Sequence, residues 1–329
     1  MEDFRKLFES FAKLKVGVIG DVMLDTYMWG GVERISPEAP VPVVSLHKKD
    51  FRIGGAGNVA LNAQSLGAQT YVLSVTGKDE DGDKLRQMFE NNRIHTDYIV
   101  RSGNRITTNK TRIISRNQQM MRLDAEITGD LNEADAANLL HNIKTFVAKE
   151  KPDVIIFEDY NKGVLTQKII QDVIALCKKS SVITAVDPKR KNFFSYRGVD
   201  IFKPNLKEVK EGLNLLLADV NKVVLGNIHR ELLAVLRHGI SFITLSDKGV
   251  FYQQNGQSAI IDSHLRNIAD VSGAGDTVIA VASMVYAATK NVHLMAEIAN
   301  IAGGLVCEEV GTVAINKQKL LHECEILLS

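Results

Sequence analysis

The sequence predicts an α/β fold: a doubly wound, mostly parallel sheet with a small projecting β-sheet as a lid. Three observations carry this. Short runs rich in Val and Ile, apolar on both faces, recur at 16–20, 71–75, 154–158, 182–187, 200–203 and 242–245, as suits buried parallel strands. Helical patterns alternate with them, which argues for βαβ units. One stretch, 27–53, breaks that rhythm with Pro37, Pro40, Pro42 and short alternating segments.

In chain order, Phe4, Phe8 and Phe11 fall at helical spacing, so residues 1–14 open with an amphipathic helix and lack the apolar stretch of a signal peptide. The first strand follows at 16–20. Residues 27–53, with 107–114 and 119–123, read as half-exposed antiparallel strands, which places the lid within about 27–53 and 105–124. Helices are predicted at 59–66, 80–91, 133–149, 166–178, 228–237, 275–288 and 294–309. No repeat, low-complexity tract or flexible linker divides the chain. Residues 1–329 are expected to form one domain, with the lid as an excursion from it.

Composition narrows the partners. With 329 residues, 45% of them hydrophobic, the chain can bury a large core, which excludes disordered and disulfide-scaffold classes. Forty basic against 39 acidic residues leave a net charge of +1, so no bulk field attracts nucleic acid or an anionic membrane. Small-molecule partners are expected, any charged one held by a local cluster. Cys177, Cys307 and Cys324 form no Cys-x-x-Cys pair and are odd in number, which fits buried thiols in a reducing compartment. No window reaches the ~18–20 apolar residues of a membrane span. A cytoplasmic location follows as the expectation.

In open α/β sheets ligands bind beyond the carboxyl ends of the strands. Here those ends read Gly20-Asp21, Glu158-Asp159, Asp187-Pro188, Lys203-Pro204-Asn205 and Leu245-Ser246-Asp247, which sends Asp, Asn and Ser to one edge. Turn and helix-cap chemistry is the alternative at each position. The densest signal is Asp270-Val271-Ser272-Gly273-Ala274-Gly275-Asp276-Thr277 before an apolar run. Gly273, Ala274 and Gly275 leave amide N–H groups open at a helix start, a nest for phosphoryl oxygens. Asp276, in the first turn, can accept the proton of an attacking hydroxyl. Phosphoryl transfer needs this positioned nucleophile and this charge stabilisation.

Gly54-Gly55-Ala56-Gly57-Asn58-Val59-Ala60 fits a dinucleotide fingerprint, with Asp79 at the spacing of its ribose acid, but the preceding 47–52 stretch is mostly charged, unlike the buried strand that motif needs. The better reading is that Gly54 and Gly55 let a polar ligand approach the backbone, with Asn58 supplying hydrogen bonds. No P-loop motif is present. The eight histidines show no metal spacing, and His229 and His238 read as the solvated face or end of a helix. Asp270 occupies the Gly position a nucleophile elbow requires, which removes the serine-hydrolase reading.

Together these residues resemble the ribokinase-like (PfkB) carbohydrate kinases over nearly the whole chain: 270–277 looks like that family's C-terminal signature and 54–60 its N-terminal one. The resemblance implies a sugar held under the lid, ATP and Mg²⁺ at the C-terminal half, and a homodimer formed through the lid; a monovalent cation is left open. Asp276 is similar to the family's base, and Gly273, Ala274 and Gly275 to its anion hole. Asp25 matches the sugar-binding aspartate. Asn205 and Glu208 look like the N-x-x-E element, Glu208 organising Mg²⁺ indirectly. Ser246, Asp247 and Gly249 fall at the nucleotide phosphate and ribose loop, and Asn300 at the base.

Within the family, the strings 20–25, 34–44, 110–116, 122–124 and 159–163 resemble the branch that phosphorylates the anomeric hydroxyl of a heptose 7-phosphate on the way to ADP-heptose for lipopolysaccharide. Many members of that branch carry a fused adenylyltransferase. The chain stops soon after Gly311-Thr312-Val313, so a separate adenylyltransferase is expected as a pathway partner. A sugar phosphate requires a basic cluster, for which Arg34, Lys110, Arg112, Arg122 and Lys162 are the candidates. Lys162 ranks first because it lies beside Asp159, itself expected to bind substrate. Lys189 is expected to reach the ATP phosphates.

Overall fold

The computed structural model describes residues 3–116, 118–216 and 219–328. Its strands are β1 (Lys15–Gly20), β2 (Val22–Ile35), β3 (Pro42–Gly55), β4 (Gln69–Leu73), β5 (Val75–Gly77), β6 (Val100–Ser102) and β7 (Asn109–Ser115). They continue with β8 (Gln118–Ala125), β9 (Val154–Glu158), β10 (Ile183–Asp187), β11 (Ile201–Phe202), β12 (Ile240–Thr244), β13 (Val250–Gln254) and β14 (Gln257–Ile261). The helices are α1 (Phe4–Ser10), α2 (Ala56–Ser65), α3 (Glu80–Asn91), α4 (Glu133–Glu150) and α5 (Gln167–Lys179). After them come α6 (Leu206–Leu213), α7 (Lys222–Leu236), α8 (Ala274–Thr289), α9 (Val292–Val306) and α10 (Lys317–Leu327).

The main sheet runs β14-β13-β12-β11-β10-β9-β1-β4. It is parallel from β12 to β4, and only the β13 and β14 edge is antiparallel. Alternation along each strand sends residues to two separate cores. On β9, Val154 and Ile156 join α2, α8 and α9, whereas Ile155 and Phe157 join α4 and α5 on the opposite face. Each fully buried Ile or Phe of this kind contributes about 1.5–3 kcal/mol. Continuing the same period, Glu158 falls on the α8 face and Asp159 on the α5 face. α8 is buried from Asp276 to Val285, the pattern of a helix enclosed on all sides.

The second sheet, β3-β2-β7-β8, projects from the C-terminal edge of the first. Only Asp21 separates β1 from β2, and β3 runs directly into α2. Two differences from expectation stand out. Its first two strands are 14 residues each despite the prolines, because Pro37 and Pro40 lie in the connection between β2 and β3 and Pro42 opens β3. Its β2 and β7 pair in parallel, since the chain returns to the sheet through α2, α3 and the short β5 and β6 pair. β8 is exposed along its length.

His229 and His238 are not solvated. Both are buried, and both rings meet Ser241 Oγ, at 2.8 Å from His229 Nδ1 and 2.6 Å from His238 Nε2. Burial pushes His238 down to about 4. Among the described residues no helix is long and apolar enough to cross a membrane.

Candidate active site

The N-terminus of α8 meets the C-terminal edge of the main sheet. Gly273 caps the helix at φ +79°, a left-handed conformation that favours glycine, and its Cα faces the Asn58 side chain. The Ala274 N–H at this start donates to the Val271 carbonyl at 3.3 Å, and a helix N-terminus favours an anion. Asp276 follows, buried. Its Oδ2 accepts from Asn58 Nδ2 at 2.7 Å and its Oδ1 from the Tyr160 hydroxyl at 2.8 Å. Burial pushes its carboxyl up to about 6, against the downward pull of those two donors.

Asn58 comes from α2, so the two glycine-rich signatures are in contact. A second amide completes the joint: Asn62 Oδ1 accepts from Thr277 Oγ1 at 3.0 Å and from the Ile315 N–H at 2.9 Å. Asn62 Nδ2 donates to the Asn58 carbonyl at 2.8 Å. Asn58, expected to bind substrate, is thus fully buried and engaged with Asp276.

Beside Asp276 the strand ends supply alternating charges. Lys203 Nζ donates to Asp187 Oδ2 at 2.7 Å, both buried. Lys189 Nζ donates to Glu208 Oε1 at 2.6 Å and lies 3.5 Å from Asp187 Oδ1. Burial opposes the charge on Lys189, but Asp187 and Glu208 outweigh it and hold the ammonium above its ordinary range. Glu158 has no hydrogen-bond partner for either oxygen; burial first, then Asp187 and Asp276, push its carboxyl well above the ordinary range. Glu208 closes a capping box on α6, its Oε2 accepting from the Asn205 N–H at 2.9 Å while Asn205 Oδ1 accepts from the Glu208 N–H at 2.8 Å.

No group of three or more metal-ligating side chains occurs among the described residues. Mg²⁺ in nucleotide enzymes keeps several waters and is held by one or two carboxylates with the substrate phosphates. Glu208, already engaged by Lys189 and Asn205, fits that indirect part.

The projecting sheet brings Asp25 over this edge. Asp25 is buried on β2, and Arg112 Nη1 of β7 donates to its Oδ1. Gly54 pairs with Met23 in the register, and any Cβ there would collide with the Asp25 carboxylate, so glycine is required. Gly55 turns the chain into α2. Tyr27 lies under two guanidinium groups, Arg112 at 5.2 Å and Arg52 at 4.8 Å. Arg52 also donates to the Val310 carbonyl at 2.9 Å.

The five expected phosphate-binding cations fall in three places, Arg112 being the one bound to Asp25. Lys110, Lys162 and Arg122 form one network: Lys110 reaches Asp124 at 3.1 Å and Glu126 at 3.2 Å, Lys162 reaches Glu126 at 2.7 Å, and Arg122 reaches Asp124 at 2.9 Å. Three cations against two carboxylates leave one positive charge there. Arg34 is not with them. It is exposed near the outer end of β2, nine residues beyond Asp25, or roughly 30 Å along the strand.

Asp159 does not face the site. Its Oδ1 accepts from the Asn161 N–H at 2.8 Å, and its Oδ2 from Asn192 Nδ2 at 3.0 Å and the Tyr196 hydroxyl at 2.7 Å, the last two buried. Strand parity explains this correction: the side chain directed at Asp276 is its neighbour Glu158. Tyr160, Asp187 and Lys203 are site residues that had no role assigned from sequence.

An open cleft of about 580 Å³ lies between Leu206, Lys210, Asn221, Leu245, Ser246 and Asp247, joining the α6 start to the loop after β12. Gly249 closes that loop at φ +85°. Asn300 is on α9 and donates to the Asp262 carbonyl at 2.8 Å. The cleft is of a size that holds a small organic ligand.

A model described as pfkB family carbohydrate kinase matches residues 13–319. The chain is 37% identical over 311 residues to the bifunctional protein HldE of Syntrophotalea carbinolica and 38% identical over 307 residues to that of Aliarcobacter butzleri. These alignments cover 94% and 91% of this chain and 62% of each relative, so the chain spans a little under two thirds of their length. Among solved structures, Escherichia coli phosphofructokinase-2 in complex with potassium superposes with a TM-score of 0.78 at 16% identity, over 95% of this chain and 99% of that one. Arabidopsis thaliana ribokinase complexed with ribose and ATP gives 0.72 at 16%, over 94% and 98%. The fold is theirs, and with the family match the chain belongs to the pfkB family of carbohydrate kinases, phosphotransferases whose acceptor is a hydroxyl group.

Proposed function

We propose that the chain transfers the γ-phosphoryl group of ATP to the C1 hydroxyl of D-glycero-β-D-manno-heptose 7-phosphate, giving the 1,7-bisphosphate and ADP. The observation that carries the reaction is the buried Asp276 carboxylate in the first turn of α8, held by Asn58 and Tyr160. Asp25 and the Asn58-bound base orient the acceptor; Asp276 takes the hydroxyl proton as the new O–P bond forms and the bond to the ADP oxygen breaks. The amides of residues 273–275 stabilise charge on the moving group. Mg²⁺ bound with ATP would supply further charge neutralisation; Glu208 would help hold it through water, and Lys189 would reach the ATP phosphates. Ser246, Asp247, Gly249 and Asn300 are read as the nucleotide wall.

The acceptor rests on the similarity to HldE and on the residual positive charge of the Lys110, Lys162 and Arg122 network, which suits a second phosphate. The projecting sheet is read as the lid, excluding water from the transfer. Its exposed Ile35, Met121 and Leu123 suit a homodimer formed through it. Partnership with an adenylyltransferase activity, in one polypeptide or two, belongs to the same proposal, as does a cytoplasmic site of action.

The test is ADP release across a panel of heptose 7-phosphate, fructose 6-phosphate, ribose and fructose. Heptose 7-phosphate is expected to give the highest kcat/KM. Preference for another sugar replaces the substrate and leaves the kinase; ATP turnover independent of every sugar removes both.

A further inference from the structure

We propose that Tyr160 is the positioning residue for the acceptor-side base: its phenol fixes the plane of the Asp276 carboxylate and favours the ionised form. This rests on the reading of Asp276 as the base.

Four features carry the assignment. Each Asp276 oxygen has one donor, Tyr160 on Oδ1 and Asn58 on Oδ2. A carboxylate has about four lone-pair sites, so two stay available for the acceptor hydroxyl while rotation of the group, otherwise broad, is fixed at both ends. The phenol is itself placed from a distance: Asp21, buried at the end of β1, accepts from the Tyr160 N–H at 2.9 Å, from the Lys162 N–H at 3.0 Å and from the Val164 N–H at 3.1 Å. Those three bonds set the loop after β9, and hence where the ring lies. The Lys189 ammonium lies 5.6 Å over that ring, so Tyr160 stands between Asp276 and the Lys189–Glu208 pair.

Among the described residues no side chain other than Tyr160 and Asn58 donates to the Asp276 carboxylate. The charged groups facing Asp276 are Glu158 from β9, Asp187 from β10 and Lys203 after β11, with Lys189 behind the Tyr160 ring. Lys203 and Lys189 donate to other carboxylates, Asp187 is their partner, and Glu158 is without a hydrogen bond. From α2 the only donor is Asn58.

The experiment is a carbon-13 titration of the Asp276 carboxyl in the full chain without substrate, the resonance assigned by its loss in Asp276→Asn. Tyr160→Phe removes one oxygen and keeps the ring. A donor to the carboxylate favours its charged form, so its loss moves the titration upward by about one pH unit. 3,5-Difluorotyrosine at position 160, a stronger donor, moves it downward. In turnover, Tyr160→Phe lowers kcat about threefold at pH 6.5 through the smaller ionised fraction, with the ATP KM within about twofold, and the acid limb of the profile follows the carboxyl. Titration midpoints within about 0.2 units of wild type in both variants overturn the assignment, whatever happens to kcat. Because the titration needs no sugar, an error in the acceptor leaves it intact.

Discussion

Asn58 and Asp276 are 218 residues apart in sequence and joined by a 2.7 Å hydrogen bond between two buried side chains. The contact makes the start of α2 and the start of α8 a single unit, and any change to either signature is felt by the other. Replacing Asp276 by Asn keeps the shape and removes the base. General-base catalysis is typically worth about 10²–10⁴-fold, so kcat of Asp276→Asn should fall by that factor with the melting temperature preserved or raised. Wild-type turnover in the purified variant would refute the role.

The pH dependence of stability tests the same carboxyl. In the folded chain it titrates at about 6, raised mainly by burial. The unfolded chain loses this proton first, near the ordinary aspartate value of about 3.9, so the folded state binds more protons between the two. Stability therefore falls as pH rises through that window, by roughly 3 kcal/mol from this group. Asp276→Asn should remove the loss, and the gain in melting temperature over wild type should be larger at about pH 7.5 than at about pH 4.

His238 acts in the opposite sense at the far face of the sheet. It titrates at about 4 when folded, lowered by burial and then by His229, against an ordinary value of about 6.5. As pH falls below about 6.5 the unfolded chain gains a proton that the folded chain refuses, so stability drops until about pH 4, by up to roughly 3 kcal/mol. His238→Gln should flatten that part of a urea-midpoint profile. An unchanged slope would assign the acid sensitivity elsewhere.

Gly54→Ala places a methyl group against the Asp25 carboxylate, and the neighbour cannot yield without giving up Arg112. The acceptor KM should rise about 10–100-fold, the scale of a lost hydrogen bond to a charged group, with the ATP KM nearly unchanged. Equal effects on both KM values would mean that Asp25 does not hold the sugar.

Lys203→Met tests the buried pair. It leaves Asp187 with Lys189 alone, and breaking one side of a buried ion pair costs about 3–5 kcal/mol because the other charge stays desolvated. Urea denaturation should show a loss of that order. A loss under about 1 kcal/mol would mean that Lys189 compensates fully.

Much of this arrangement is legible in the residues. Apolar runs locate the main parallel strands, and the small residues of 272–275 mark the start of α8, because those features are local. Arg34 is misplaced because the sequence does not show how far β2 runs from the main sheet; Asp159 fails on parity, since a strand's last residue and the next one point to opposite faces, and Glu158 takes the face that bears α8. Tyr160 is beyond local reasoning, since its ring is placed by three bonds to Asp21, 139 to 143 residues earlier in the chain. The Asn205 to Glu208 spacing is visible in sequence, but its role as a capping box reaching Lys189 depends on β10 and β11 lying side by side.

The short joints at Asp21 and at Gly55-Ala56 make the projecting sheet a lever whose fulcrum sits beside Asp276. At about 3.3 Å per residue, Asp25 is some 13 Å and Arg34 some 40 Å from that pivot. A swing of about 10° would carry Asp25 about 2 Å and the tip about 7 Å. Travel is amplified at the outer end and damped toward Asp25, so a movement of the tip reaches the edge that bears Asp276 reduced about threefold.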